Sequence, residues 1–215
     1  MNNKNLILVG GGGHCKAVID VAESSGWSIL GILDIEENVG KKVLNYSIIG
    51  TDEQIPELIH DGYFLVTVGQ IKNANLRIKL HEKIISMGGK LATVIAFDAH
   101  VSKHSNVDKG TVIMHKVVVN AATKIGLGCI INTMANIEHD AIIGNYCHIS
   151  TGAMINGECF VGYGTFVGSG AVVSNGVSIS EHCIIAAGAV VRKNISINGI
   201  YAGNPCCLIK NNNYD

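Results

Sequence analysis

Isoleucine or valine recurs at every sixth position from Ile95, Val101, Val107 and Ile113 onward to Val191 and Ile197, without a miss. Four places after each stands a mostly small side chain, among them Thr111, Thr123, Cys129, Ala135, Ala141, Cys147, Ala153 and Ala189. A fixed six-residue period is the mark of a hexapeptide parallel β-helix. Each side of a triangular coil is a short strand whose branched residue points inward, and the small residue fits where the chain rounds the corner. Eighteen residues close one circuit, so residues 95–202 are expected to form six coils stacked on a continuous Ile/Val ladder. Cys129, Cys147, Cys159 and Cys183 fall at the small corner position and read as small hydrophobes, not as disulfide partners or metal ligands.

Residues 1–90 carry another pattern. Leu6-Ile7-Leu8-Val9 is a short continuous apolar run, as in a buried parallel strand, and Gly10 to Gly13 follow it. His14 to Ser25 then reads as a helix, Ile29 to Asp34 as a second strand ending in an acid, Phe64 to Gly69 as a third, and Ala74 to Met87 as a second helix. Strand, glycine loop, helix, strand and acid predict a Rossmann-like half-domain. With room for one such half, it suits a mononucleotide or nucleotide-sugar better than a dinucleotide. The glycine loop is the candidate for the phosphate end, and Asp34 for a ribose hydroxyl or base edge. Residues 91–215 make the β-helix domain with its C-terminal tail. A formal charge of −1 without charge runs argues against a nucleic-acid or membrane-surface partner. No apolar stretch approaches a membrane span, and a cytoplasmic location is expected.

Of nine histidines, His139 alone is flanked by two carboxylates, in Asn136-Ile137-Glu138-His139-Asp140. One coil on stands Gly157 and one coil back Ala121, which leaves room beside the imidazole. Acyl transfer from a thioester needs a base near neutral pH, and a carboxylate can hold an imidazole's tautomer. The same triplet could equally be a solvated surface feature. His60, His81, His100, His104 and His182 lack such a context, His115 lacks a nearby acid as well, and all six read as packing or surface residues.

Gly12-Gly13-His14, Ile131-Asn132-Thr133, Ile137-Glu138-His139-Asp140, His148-Ile149-Ser150, Gly152-Ala153 and Gly203-Asn204-Pro205 together resemble the bacterial PglD/NeuD-type sugar acetyltransferases, over essentially the whole chain. The resemblance implies a left-handed β-helix, a homotrimer and acetyl-CoA bound in the groove between adjacent β-helices. It also implies a nucleotide-linked amino-dideoxy sugar as acceptor, with N-acetylation feeding surface-glycan synthesis and no metal required. By the same resemblance His139 is the general base and Asp140, ahead of Glu138, its orienting acid. Asn132, His148, Gly157, Ala187 and Gly188 would contact acetyl-CoA, and Gly12, Gly13, His14 and Asp34 the nucleotide-sugar. Two departures stand out. Ile35 follows Asp34 where relatives often carry a second acid, and Cys15-Lys16 follow His14 where small residues are common. Lys16 suits a phosphate or plain solvation equally, and Arg192 and Lys193 suit CoA phosphates or solvent. Rival readings are a sialic acid O-acetyltransferase, a γ-carbonic-anhydrase-like metalloenzyme and a non-catalytic nucleotide-sugar-binding protein.

Overall fold

The computed structural model describes residues 4–211. The last residues of the predicted tail, 212–215, lie outside them. The chain opens with β1 (Lys4–Val9), α1 (Gly13–Ser24), β2 (Trp27–Leu33), β3 (Lys42–Val43), β4 (Tyr46–Gly50), α2 (Ile55–Leu58), β5 (Tyr63–Val66), α3 (Asn75–Ser86) and β6 (Lys90–Leu91). They form one sheet in the order β3-β4-β2-β1-β5-β6, parallel except for the β3–β4 hairpin. Continuous apolar runs put β1 and β5 at the centre, where Leu6, Ile7, Leu8, Phe64 and Leu65 are fully buried. The chain passes from β1 to β2 on one side and to β5 on the other. The ends of these strands therefore bound the crevice where such sheets take ligands. The sequence reading missed the β3–β4 hairpin and α2, whose lengths are too short to carry a period.

From Val94–Ile95 to Val190–Val191, two-residue strands repeat every six residues and pair in parallel with strands eighteen residues away. Three sheets result, and the coil is the left-handed parallel β-helix of the hexapeptide proteins. The first sheet holds Ile130–Ile131 and His148–Ile149, the second Asn136–Ile137 and Met154–Ile155, the third Ile142–Ile143 and Phe160–Val161. Ile113 to Val191 of the ladder are buried, as the period requires. Every sixth residue from Gly110 to Gly188 has φ between +55° and +73°, which places each corner on a left-handed residue. Half of these corners are not glycine; Lys116, Ala122, Met134, Asp140, Tyr146, Glu158 and His182 adopt the same φ. The small corner residues also tie coil to coil. Thr111 Oγ1 donates to Gly126 O at 2.9 Å, Thr123 Oγ1 to Glu138 O at 3.0 Å, and the Cys129 thiol to Gly144 O at 3.1 Å.

The regular period ends before the sequence suggests. After Val173↔Val191 the spacing drops from eighteen to sixteen, with Ile179 bridging Ile195 and Ile185 pairing Tyr201. Ile195 takes the inward seat at 8% exposure, and Ile197 is 55% exposed. Isoleucine at 197 keeps the period in sequence only; the last circuit is two residues short. The strand Gly199–Ala202 then pairs antiparallel with Cys207–Asn211 and closes the end of the stack.

The two parts share one core, in which Val18, Val21 and Ala22 of α1 join Val94, Val112 and Ile130 of the first coil sheet. Among the described residues no helix is long and apolar enough to cross a membrane.

Candidate active site

Glu138, His139, Asp140 and Ala141 form the corner between the second and third sheets, closed by Ala141 N–H to Glu138 O at 3.4 Å. Asp140 sits at the left-handed position with φ +60°, a conformation aspartate tolerates better than most L-residues. Its Oδ2 lies 2.9 Å from His139 Nδ1, leaving Nε2 on a side chain that is 58% exposed. The Asp140 hydrogen bond, helped by the charges of Asp140, Glu138 and Glu158, raises the His139 pKa above its ordinary value. Glu138 is engaged elsewhere. Asn136 Nδ2 donates to its Oε1 at 2.8 Å and Asn120 Nδ2 to its Oε2 at 2.7 Å, and these bonds hold its carboxyl below the usual range. The partner of the imidazole in this structure is therefore Asp140. Gly157, one coil further, lies beneath the ring.

His148 lies on the first sheet, beneath the N-terminal domain, and is buried. Its Nδ1 is 2.6 Å from the carbonyl of Gln70, so Nδ1 carries the proton. Asn132 Oδ1 accepts from Thr133 N–H, which turns Asn132 Nδ2 toward His148 Nε2 at 3.2 Å. Burial, with the Arg77 charge adding to it, lowers the His148 pKa to about 4, so the ring is neutral. Asn132 and His148, expected together, are together. Ala187 and Gly188 lie on the corner between the first and second sheets, three coils beyond Asn132-Thr133, and are exposed. His139 and Gly157 line the next corner round the coil, and Lys193 continues that row. Arg192 and Lys193 border a cavity of about 500 Å³ at the coil's end, with Tyr201, Pro205 and Cys206.

In the N-terminal domain, Gly12 and Gly13 are exposed, and a Cβ added to either would meet nothing. Asp34 closes the loop from the other side. Its Oδ2 accepts from Gly11 N–H at 3.0 Å and Asn38 Nδ2 at 3.3 Å, and its Oδ1 from Ile35 N–H at 2.8 Å. Much of its hydrogen-bonding capacity is thus spent on shaping the loop, though it also lines a cavity of about 610 Å³ with Gly10, Leu33, Val68 and Leu76. His14 turns toward the junction with the coil: its Nε2 is sealed from solvent without a protein partner. Burial, then the Arg77 charge and the neighbouring His148, lower its pKa to about 3. Lys16 is exposed.

Three residues with structural weight here were not singled out in the sequence: Gln70, Arg77 and Asn120. His115, read as lacking an acid, lies 2.7 Å from Asp98 and 3.0 Å from Asp20, acids brought near by the fold rather than by sequence. Among the described residues no group of three His, Cys, Asp or Glu side chains is gathered to hold a metal ion.

A family model described as the PglD N-terminal domain matches residues 5–84. The chain is similar to the acetyltransferase domain of PglB from Neisseria gonorrhoeae, solved with acetyl coenzyme A. Identity is 30% and the TM-score 0.89, over 97% of this chain and 100% of that one. It is similar as well to PerB from Caulobacter crescentus, solved with CoA and GDP-perosamine, at 32% identity and a TM-score of 0.88, over 95% and 96% of the two chains. WeeI from Acinetobacter baumannii shares the fold at 19% identity and a TM-score of 0.82.

Proposed function

The chain belongs to the PglD-type family of acetyl-CoA-dependent sugar acetyltransferases, and on that premise we propose that it acetylates the amino group of a nucleotide-linked amino-dideoxy sugar for surface-glycan synthesis in the cytoplasm. In this reading residues 1–90 hold the nucleotide-sugar and residues 91–215 hold acetyl-CoA. The observation that carries it is the exposed His139–Asp140 pair, with Nδ1 engaged by the carboxylate.

The chemistry is direct transfer. The acceptor amine attacks the thioester carbonyl as His139 Nε2 takes its proton. Asp140 stabilises the imidazolium through Nδ1–H. The tetrahedral intermediate then collapses, the carbon–sulfur bond breaks, and the imidazolium returns the proton to the CoA thiolate. His139 is the catalytic base, Asp140 the positioning acid.

The cosubstrate fits the rows of residues along the coil. Lys193 stands three coils from His139 on the same edge, about 14 Å at the ordinary spacing between paired strands. Such a run suits a pantetheine arm with the thioester at His139 and phosphates near Arg192 and Lys193. Asn132, His148, Ala187 and Gly188 lie along or beside the neighbouring edge. A groove between the β-helices of two copies would bring one row of each together, and this reading includes a homotrimer. Exposed Ile142, Met154 and Phe160 on the outer faces suit burial between copies. Exposed Gly12 and Gly13 leave backbone N–H groups open to phosphate oxygens.

The test is thiol release from acetyl-CoA with UDP-, GDP- and dTDP-linked 4-amino-4,6-dideoxy sugars and free sialic acid, run beside His139→Ala. Turnover of an amino-sugar nucleotide that collapses in the variant is expected. Turnover of sialic acid alone moves the acceptor to a hydroxyl, and full activity in the variant removes His139 from the mechanism.

A further inference from the structure

Arg77 in α3 is a buried cation, 1% exposed, and among the described residues no carboxylate pairs with it. Its Nη1 donates to Val66 O at 3.0 Å and Val68 O at 2.6 Å, and its Nη2 to Gly128 O at 2.9 Å. Burying an unpaired charge is costly, and an apolar side chain would join the two domains without that penalty. Three convergent carbonyls are what a guanidinium fork reads and a hydrophobe cannot. Two of them begin the segment that runs from β5 into the β5–α3 loop; the third is a left-handed corner of the coil.

That segment ends at Gln70. Its carbonyl accepts from His148 Nδ1–H, and its Nε2 donates to Tyr146 O at 2.9 Å and Gly164 O at 3.3 Å, on the same corner row as Gly128. The loop is held at both ends against the coil, by Arg77 at its start and by Gln70 at its finish. His81, one turn after Arg77 in α3, backs the clamp: its Nδ1 is 2.7 Å from Arg77 O, and its ring fills the space above Gly110 and Gly128.

We propose that Arg77 is a positioning residue that fixes the 66–70 segment so that the Gln70 carbonyl locks His148 in its Nδ1-protonated tautomer, with Nε2 kept as an acceptor beside Asn132. The consequence for acetyl transfer rests on the placement of His148 and Asn132 at the acetyl-CoA end; the effect on the tautomer does not. A ring whose Nδ1–H is tied to a carbonyl presents one defined face, as the outer partners of metal-bound histidines do for their ligands. Arg77 also adds a positive charge near His148, which further disfavours a second proton.

The experiment uses the full chain labelled with ¹⁵N-histidine, with the His148 signals assigned by their loss in His148→Asn. Imidazole nitrogen shifts are recorded for wild type, Arg77→Met and Arg77→Lys, together with steady-state kinetics in acetyl-CoA. Wild type is expected to show a protonated Nδ1 and a bare Nε2. In Arg77→Met the tautomers mix, and KM for acetyl-CoA rises on the order of tenfold while the pH dependence set by His139 is kept. Arg77→Lys, which keeps the charge but not the fork, should restore part of both, and it stands in for the methionine variant if that one does not fold. A wild-type His148 protonated at Nε2 overturns the proposal. So does an unchanged tautomer in folded Arg77→Met, while a changed tautomer with kcat and KM untouched overturns its consequence for acetyl transfer. If wild type transfers no acetyl group at all, the assigned function fails while the tautomer shifts still decide what Arg77 does.

Discussion

Gly157 lies under the imidazole of His139 so closely that a Cβ built on it would stand 2.7 Å from Cε1 and 2.8 Å from Nε2. No side chain fits there unless the ring moves, and the atom displaced is the one assigned the proton. Gly157→Ala is therefore expected to lower kcat on the order of 100-fold, the scale of an ångström-sized misplacement of a catalytic group. Gly157 has no left-handed φ, so thermal unfolding should stay close to wild type. Wild-type turnover in a folded Gly157→Ala protein would break the link between the ring's place and catalysis.

The Asp140 hydrogen bond sets the pH dependence. His139 must be neutral to accept a proton, so kcat/KM falls as pH drops through its pKa, which lies above the ordinary value of 6.5. Asp140→Asn removes the main cause of that rise, and the acidic limb should move to lower pH while the plateau drops by roughly 10²–10⁴. For stability the sign is opposite. A raised histidine pKa stabilises the fold below the unfolded value and loses that effect as pH climbs through the folded one. The pair is exposed, so the kinetic profile is the measurement that reports it.

The six-residue ladder was legible because the inward seat repeats and nothing in the coil interrupts it; Ile113 through Val191 sit where the period puts them. The Glu138-His139-Asp140 triplet was legible as one corner, and the resemblance put Asp140 ahead of Glu138, but the choice between the two acids follows from Asn136 and Asn120 engaging Glu138. Gln70 with His148 and Arg77 with Gly128 were not legible. They are separated by 78 and 51 residues and depend on where α3 and its preceding loop come to rest on the coil. Asp98 reaches His115 across one coil of the stack, whereas Asp20 reaches it from α1, a docking that no local pattern announces. The two-residue shortening after Val191 was hidden by chance, because isoleucine occupies both 195 and 197.

That ambiguity gives a clean comparison. Ile195 is 8% exposed and stacks on Ile179, whereas Ile197 is 55% exposed. Ile195→Ala should cost about 2–4 kcal/mol by lost burial and the cavity left behind, and Ile197→Ala about 0.5 kcal/mol or less. Urea unfolding of the two variants side by side checks it. An unbroken hexad through Ile197 would give the reverse order.

The corners supply a second stability test, with opposite signs at two left-handed positions on successive corners of the coil. Ala122 is exposed at φ +60°, where an L-residue costs about 1–2 kcal/mol relative to right-handed backbone. Glycine removes that cost and adds about 0.5–1 kcal/mol of unfolded-state entropy. Ala122→Gly should therefore be neutral to stabilising by up to about 1 kcal/mol, a rise of roughly 2–4 °C in Tm for a chain of this size. Gly128 has φ +65°, and a Cβ there would lie 2.7 Å from the Tyr146 ring and 3.2 Å from His81 Nε2. Gly128→Ala adds both the backbone strain and a collision with two packed rings, so it should destabilise by about 2–3 kcal/mol. Calorimetry on both variants separates the contributions, because only the second disturbs packing. If Gly128→Ala melts with Ala122→Gly, the corner row is not the constraint that holds the N-terminal domain on the coil.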